Sequence, residues 1–91
     1  MSVAKVYRKR YCPNSDEISA LLSSYGIHEI VTIVDKHSEP SDFSSSNVEF
    51  MIDSKFDKEF PHIKTLPYIV INDVDIGGLS DLKDFFGNDN Y

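Results

Sequence analysis

The chain has one cysteine, Cys12, in 91 residues. No intramolecular disulfide can form, so burial alone must hold the fold together. A lone cysteine also argues against a small secreted disulfide scaffold and reads most simply as a reduced thiol in the cytoplasm. Cations are scarce: nine Lys and Arg stand against fifteen Asp and Glu, a formal net charge of −6. That balance disfavours nucleic-acid and anionic-membrane partners, because phosphate recognition needs clustered Lys and Arg. Long apolar runs are missing as well. No stretch approaches the ~20 residues of a membrane span. The opening Met1-Ser2-Val3-Ala4-Lys5-Val6 has no apolar leader region, so no signal peptide is expected. At this length the expectation is a single domain over residues 1–91.

What is there alternates between strand and helix patterns. Val3 to Arg8 alternates apolar and polar residues and is rich in strand formers. Pro13 suits a first helical turn, Asp16 and Glu17 favour the helix dipole, and Ile18, Leu22 and Tyr25 fall on one helical face before Gly26. Ile27 to Val34 reads as a buried strand, followed by a polar connection from Asp35 to Ser46. Ser46 with Glu49 has the spacing of a capping box, and Val48, Met51, Ile52 and Phe56 give a second helical stripe that ends before Pro61. Tyr68 to Ile71 and Val74 to Ile76, separated by Asn72-Asp73, predict a hairpin, and Leu79 or Ser80 opens a last helix carrying Leu82, Phe85 and Phe86. The order βαβ, then αββα, predicts an α/β fold. Its sheet is four-stranded and mixed (βαβ then ββα), with helices on both faces.

Three segments carry chemistry. Cys12 lies at the first strand–helix junction, where unsatisfied N–H groups and the positive dipole end favour thiolate, the nucleophile of disulfide exchange. Arg8-Lys9-Arg10 concentrates positive charge just before it in an otherwise acidic chain. A free cysteine is more often a small buried hydrophobe, but this position argues against that. Thr65-Leu66-Pro67 places a proline directly before a buried strand, where it cannot donate to the ladder. A cis peptide there would leave the Leu66 backbone free to pair with a bound peptide, although an ordinary trans proline is the commoner case. Gly77-Gly78-Leu79-Ser80-Asp81 offers N–H groups and a carboxylate at a helix start, and equally a hairpin exit with Ser80 as N-cap. His28, His37 and His62 show no metal-ligand spacing with Cys12, so no metal site is expected.

Together Lys9-Arg10-Tyr11-Cys12-Pro13-Asn14-Ser15, Thr65-Leu66-Pro67 and Ile76-Gly77-Gly78-Leu79-Ser80-Asp81-Leu82 resemble the glutaredoxin family, nearly end to end. The resemblance implies a thioredoxin fold and a glutathione-dependent thiol–disulfide oxidoreductase with glutathione as co-substrate. It implies that Cys12 attacks the sulfur within the motif Cys12-Pro13-Asn14-Ser15. Lys9 would meet the glycyl carboxylate of glutathione, and Thr65 and Leu66 would pair with its cysteinyl unit beside cis Pro67. Gly78, Ser80 and Asp81 would hold its γ-glutamyl end. Partners would be glutathione and glutathionylated or disulfide-bearing proteins, and the chain would act as a monomer.

The departures from the family pattern are specific. Ser15 stands where dithiol members carry a resolving cysteine, so the implied route uses Cys12 alone. Asn14 replaces a common Tyr, and the Asp35–Ser46 connection is longer than the family's usual link. A second reading is an iron–sulfur cluster carrier, with Cys12 from two chains and two glutathiones as ligands. Pro13 stiffens the loop against it, and the Gly-Phe pair, insertion and Trp-Pro pair of cluster-binding single-cysteine members are all absent.

Overall fold

A computed structural model of the chain describes residues 2–36, 48–63 and 65–88. The expected alternation is realised in β1 (Val3–Arg8), which sends Ala4 and Val6 to one side of the sheet and Tyr7 to the other. Helix α1 (Ser15–Ser24) buries Ile18 and Leu22. It ends where expected: Gly26, at φ 69°, donates to the Ser23 carbonyl at 3.0 Å, and Ile27 donates to the Leu22 carbonyl at 2.9 Å. That pair of bonds is a Schellman closure, which needs the left-handed residue glycine supplies at least cost. Strand β2 (His28–Asp35) then runs parallel to β1.

The next segment corrects the sequence reading. Val48 to Ile52 forms a strand, β3 (Val48–Ile52), paired in parallel with β2 from Val31↔Val48 to Asp35↔Ile52. Only Asp53–Glu59 is helical, as α2, so the predicted helix is split and the sheet has five strands where four were expected. The physical reason is the outer edge of β2, whose N–H and C=O groups need partners. A five-residue segment such as Val-Glu-Phe-Met-Ile fits helical spacing and strand alternation alike, and pairing decides it. Ser46, half of the expected capping box, and His37 lie outside the described residues.

Strands β4 (Tyr68–Ile71) and β5 (Val74–Gly77) form the predicted hairpin, turning through Asn72 and Asp73 at φ 49° and 67°. The sheet order is β3-β2-β1-β4-β5, with β4 antiparallel to both of its neighbours. Helix α3 (Leu79–Asn88) packs Leu82 and Phe86 beside Ile18 and Leu22 on one face, while α2 covers the other with Phe56. Two helices on one face of a mixed sheet and one on the other is the thioredoxin fold. Among the described residues, no helix is long and apolar enough to cross a membrane.

Candidate active site

Cys12 sits half-buried between the end of β1 and the start of α1, as the motif required. Its carbonyl is held twice by Ser15, whose backbone N–H donates at 3.2 Å and whose hydroxyl donates at 2.9 Å. Ser15 is 7% exposed, and this bond explains how a hydroxyl is accommodated there. The serine fixes the turn that presents Cys12. Pro13 and Asn14 belong to that turn, and the helix proper starts one residue after Asn14. A groove of about 480 Å³ is lined by Arg8, Arg10, Tyr11, Cys12, Pro13, Ser15 and Asp16. Tyr11 stands at its rim, 84% exposed.

The three cations before the thiol have separate tasks. Arg8 donates to the carbonyls of Lys9 and Arg10, both at 2.9 Å, and so clamps the chain leading to Cys12. Arg10 pairs with Asp35 at 2.9 Å and lies over the Phe50 ring at 5.8 Å, which ties the loop to β2 and β3. Lys9 points the other way, to Asp53 at the start of α2, with 2.9 Å between Nζ and Oδ1. The expected cluster of charge is therefore divided among structural partners.

Lys9 lines a second groove, about 290 Å³, with Val34, Asp53, Phe56, Asp57, Ile63, Thr65 and Leu66. A third, about 260 Å³, shares Ile63 and Thr65 with it and continues along His62, Pro67, Tyr68, Gly77, Gly78 and Asp81. The Leu66–Pro67 peptide is cis. A Cβ on Gly78 would lie 3.7 Å from the Pro67 carbonyl oxygen, so the start of α3 closes against the proline turn. Gly77, at φ 117°, abuts the Asp81 side chain so closely that a Cβ there would collide with the carboxylate. The Gly78 N–H donates to Asp81 Oδ2 at 3.1 Å. Gly78 is thus the N-cap and Asp81 the reciprocal half of a capping box, which displaces Ser80 from the capping role considered for it.

Of the residues singled out from sequence, Lys9, Thr65 and Leu66 share one groove, and Thr65, Pro67, Gly78 and Asp81 share the next. Cys12, Pro13 and Ser15 share the groove of about 480 Å³ described first. Asn14 and Ser80 are exposed and line none of the three.

The same fold occurs in glutaredoxin 1 from Francisella tularensis, solved as a crystal structure in complex with cacodylate: the TM-score is 0.67 over 100% of both chains, at 24% sequence identity. The chain has the glutaredoxin fold. No family model matches it, and no curated protein matches it in sequence.

Within the glutaredoxin fold, several groove residues went unnoticed in the sequence. Asp53 and Asp57 flank Lys9, and Val34, Phe56 and Ile63 make its apolar walls. Nothing local marks them: Asp53 is 44 residues from Lys9 and reaches it only because β3 delivers the start of α2 there. Tyr68, beside Pro67, is buried with a hydroxyl that meets no hydrogen-bond partner among the described residues. Burial first, and the nearby Asp75 carboxylate second, push its pKa up to about 12.

Proposed function

We propose that the chain is a glutathione-dependent thiol–disulfide oxidoreductase of glutaredoxin type that works through Cys12 alone. The observation that carries this reading is the placement of a half-buried Cys12 at the β1–α1 junction of a glutaredoxin fold. The Cys12 thiolate attacks the glutathione sulfur of a mixed disulfide. The old S–S bond breaks, a Cys12–glutathione disulfide forms, and the partner leaves as a thiolate that takes up a proton. A second glutathione thiolate then attacks that disulfide, forming glutathione disulfide and returning Cys12 as thiolate. Each step exchanges one S–S bond for another, so one protein sulfur suffices and Ser15 need not be a thiol.

The groove residues supply orientation. Lys9, Thr65 and Leu66 on one side of the proline turn, and Gly78 and Asp81 on the other, would hold glutathione so that its own sulfur is the one attacked, with the exposed Ser80 hydroxyl joining from outside the groove. The cytoplasm, with its glutathione pool, suits this chemistry.

The test is turnover of the glutathione–mercaptoethanol mixed disulfide, coupled to glutathione reductase, with a Cys12→Ser control. Turnover that disappears in Cys12→Ser is the expected result. A folded wild-type chain with no Cys12-dependent turnover would overturn the reading.

A further inference from the structure

The Lys9 end of the groove is built against negative charge. Among the described residues its lining contains one cation, Lys9, and two carboxylates, Asp53 and Asp57, with Thr65 and the apolar Val34, Phe56, Ile63 and Leu66 as the other walls. Lys9 Nζ is already 2.9 Å from Asp53 Oδ1. Asp57 follows Asp53 by four residues on α2, so both carboxylates project from neighbouring turns of one helix face. A ligand carboxylate arriving here must share the ammonium with Asp53 and approach Asp57 as a like charge. A neutral or cationic group meets neither obstacle, and it keeps the apolar walls.

We propose that Asp53, seconded by Asp57, is a specificity-determining residue. It weakens the hold of this end of the groove on a ligand carboxylate, so that a disulfide whose cysteine is followed by an uncharged or basic group, as in a polypeptide, is accepted there as readily as glutathione. The proposal rests on the exchange reaction proposed above and refines its partner class. The exchange itself is unchanged: Cys12 forms its disulfide and expels a thiolate whichever flank occupies the groove. The glycyl carboxylate of glutathione finds Lys9 occupied, so glutathione gains less from Lys9 than an unpaired lysine would give. Asp53 also begins α2, where an acid favours the helix dipole. That role concerns stability and would not alter a choice between two ligands.

The experiment compares two mixed disulfides of mercaptoethanol, one with glutathione and one with its glycinamide analogue. The second-order rate of Cys12 adduct formation is read by mass spectrometry. In the wild-type chain the acid should react no faster than the amide. In Asp53→Asn the acid-to-amide ratio should rise about two- to fivefold, the range an exposed ion pair can supply. Asp57→Asn, which breaks no ion pair to Lys9, should raise it less. Both gains should shrink as salt is added. A ratio that is the same in both variants as in wild type, with the fold intact, overturns the proposal while leaving the exchange reading in place. If neither disulfide forms a Cys12 adduct, the exchange reading fails and the proposal fails with it.

Discussion

The two faces of the sheet are built from different materials. Beneath α1 and α3 the core is aliphatic: Ala4, Val6, Ile18, Leu22, Ile69 and Leu82 are all fully buried, and Phe86 is the one aromatic residue among the buried side chains of that cluster. Beneath α2 it is aromatic. Tyr7 lies 5.5 Å from Phe56 and 5.0 Å from Phe60, and Phe60 meets Tyr68 edge-on at 5.7 Å. The first face has two helices of ten residues, the second has one of seven. Among the described residues the Lys9 groove opens beside the shorter helix, walled by Val34 and Phe56 from the aromatic cluster. The aliphatic face packs against two helices, and the candidate groove lies on the aromatic side.

This division can be broken by paired truncations. Leu22→Ala and Phe56→Ala each remove a buried side chain, and each should cost about 3 kcal/mol in denaturant unfolding. The thiol-exchange readout should separate them. Leu22→Ala molecules that remain folded should keep the wild-type KM for the glutathione mixed disulfide, because Leu22 touches none of the three grooves. Phe56→Ala should raise that KM several-fold, because Phe56 is a groove wall. Equal KM values for the two variants would show that the groove does not depend on the aromatic face.

A smaller effect belongs to Tyr68, which brings a phenol hydroxyl into the aromatic face. Its pKa is raised to about 12 in the native state, against ~10 when unfolded. Above pH 10 the unfolded chain loses this proton while the native chain retains it, so stability falls as pH rises. The contribution is fully present below pH 10 and lost progressively toward pH 12. Tyr68→Phe should flatten that alkaline loss. Tyr7 would keep part of it, since burial, then Glu59 and Glu49, raise its pKa as well. At pH 7 the same variant should change stability little, because the hydroxyl makes no well-formed hydrogen bond there. Unfolding free energies measured from pH 7 to 11 check both parts, and an unchanged alkaline slope would refute the assignment to Tyr68.

The contrast between the faces also explains what was legible in the sequence. On the aliphatic face, signals were local and agreed with one another. Alternation gave β1, the Ile18 and Leu22 spacing with Gly26 gave α1 and its stop, and Asn72-Asp73 gave the hairpin. The segment that failed belongs to the groove side. Val48, Met51 and Ile52 have helical spacing, yet parallel pairing with β2 makes them a strand. The alternation of Val48, Glu49 and Phe50 was the signal that could have shown this. The motif residues proposed for the site stood out in the sequence because they adjoin turns and helix starts, where residue type is constrained. Asp53 and Asp57 did not, because Asp53 meets Lys9 only once β3 is laid parallel to β2, and Asp57 is linked to Lys9 only by lining the same groove.

The smallest expected effects come from two exposed ion pairs that look alike. Lys83 binds Glu17 at 2.6 Å and ties α3 to α1 over the aliphatic face, while Lys9 binds Asp53 at 2.9 Å on the groove side. Both lysine side chains are 53% exposed, so solvent screens each pair, and either should contribute well under ~1 kcal/mol. Lys83→Met and Lys9→Met should therefore lose similar, barely measurable stability in denaturant unfolding. Only Lys9→Met should alter exchange, by removing the one cation among the described residues of the groove. Its acid-to-amide ratio should fall below the wild-type value, while Lys83→Met leaves the ratio where it was. If Lys9→Met left the ratio unmoved, Lys9 would be a mere counterpart of Lys83, a surface pair that happens to sit beside a cavity. The difference between the faces would then lie in packing alone and not in charge.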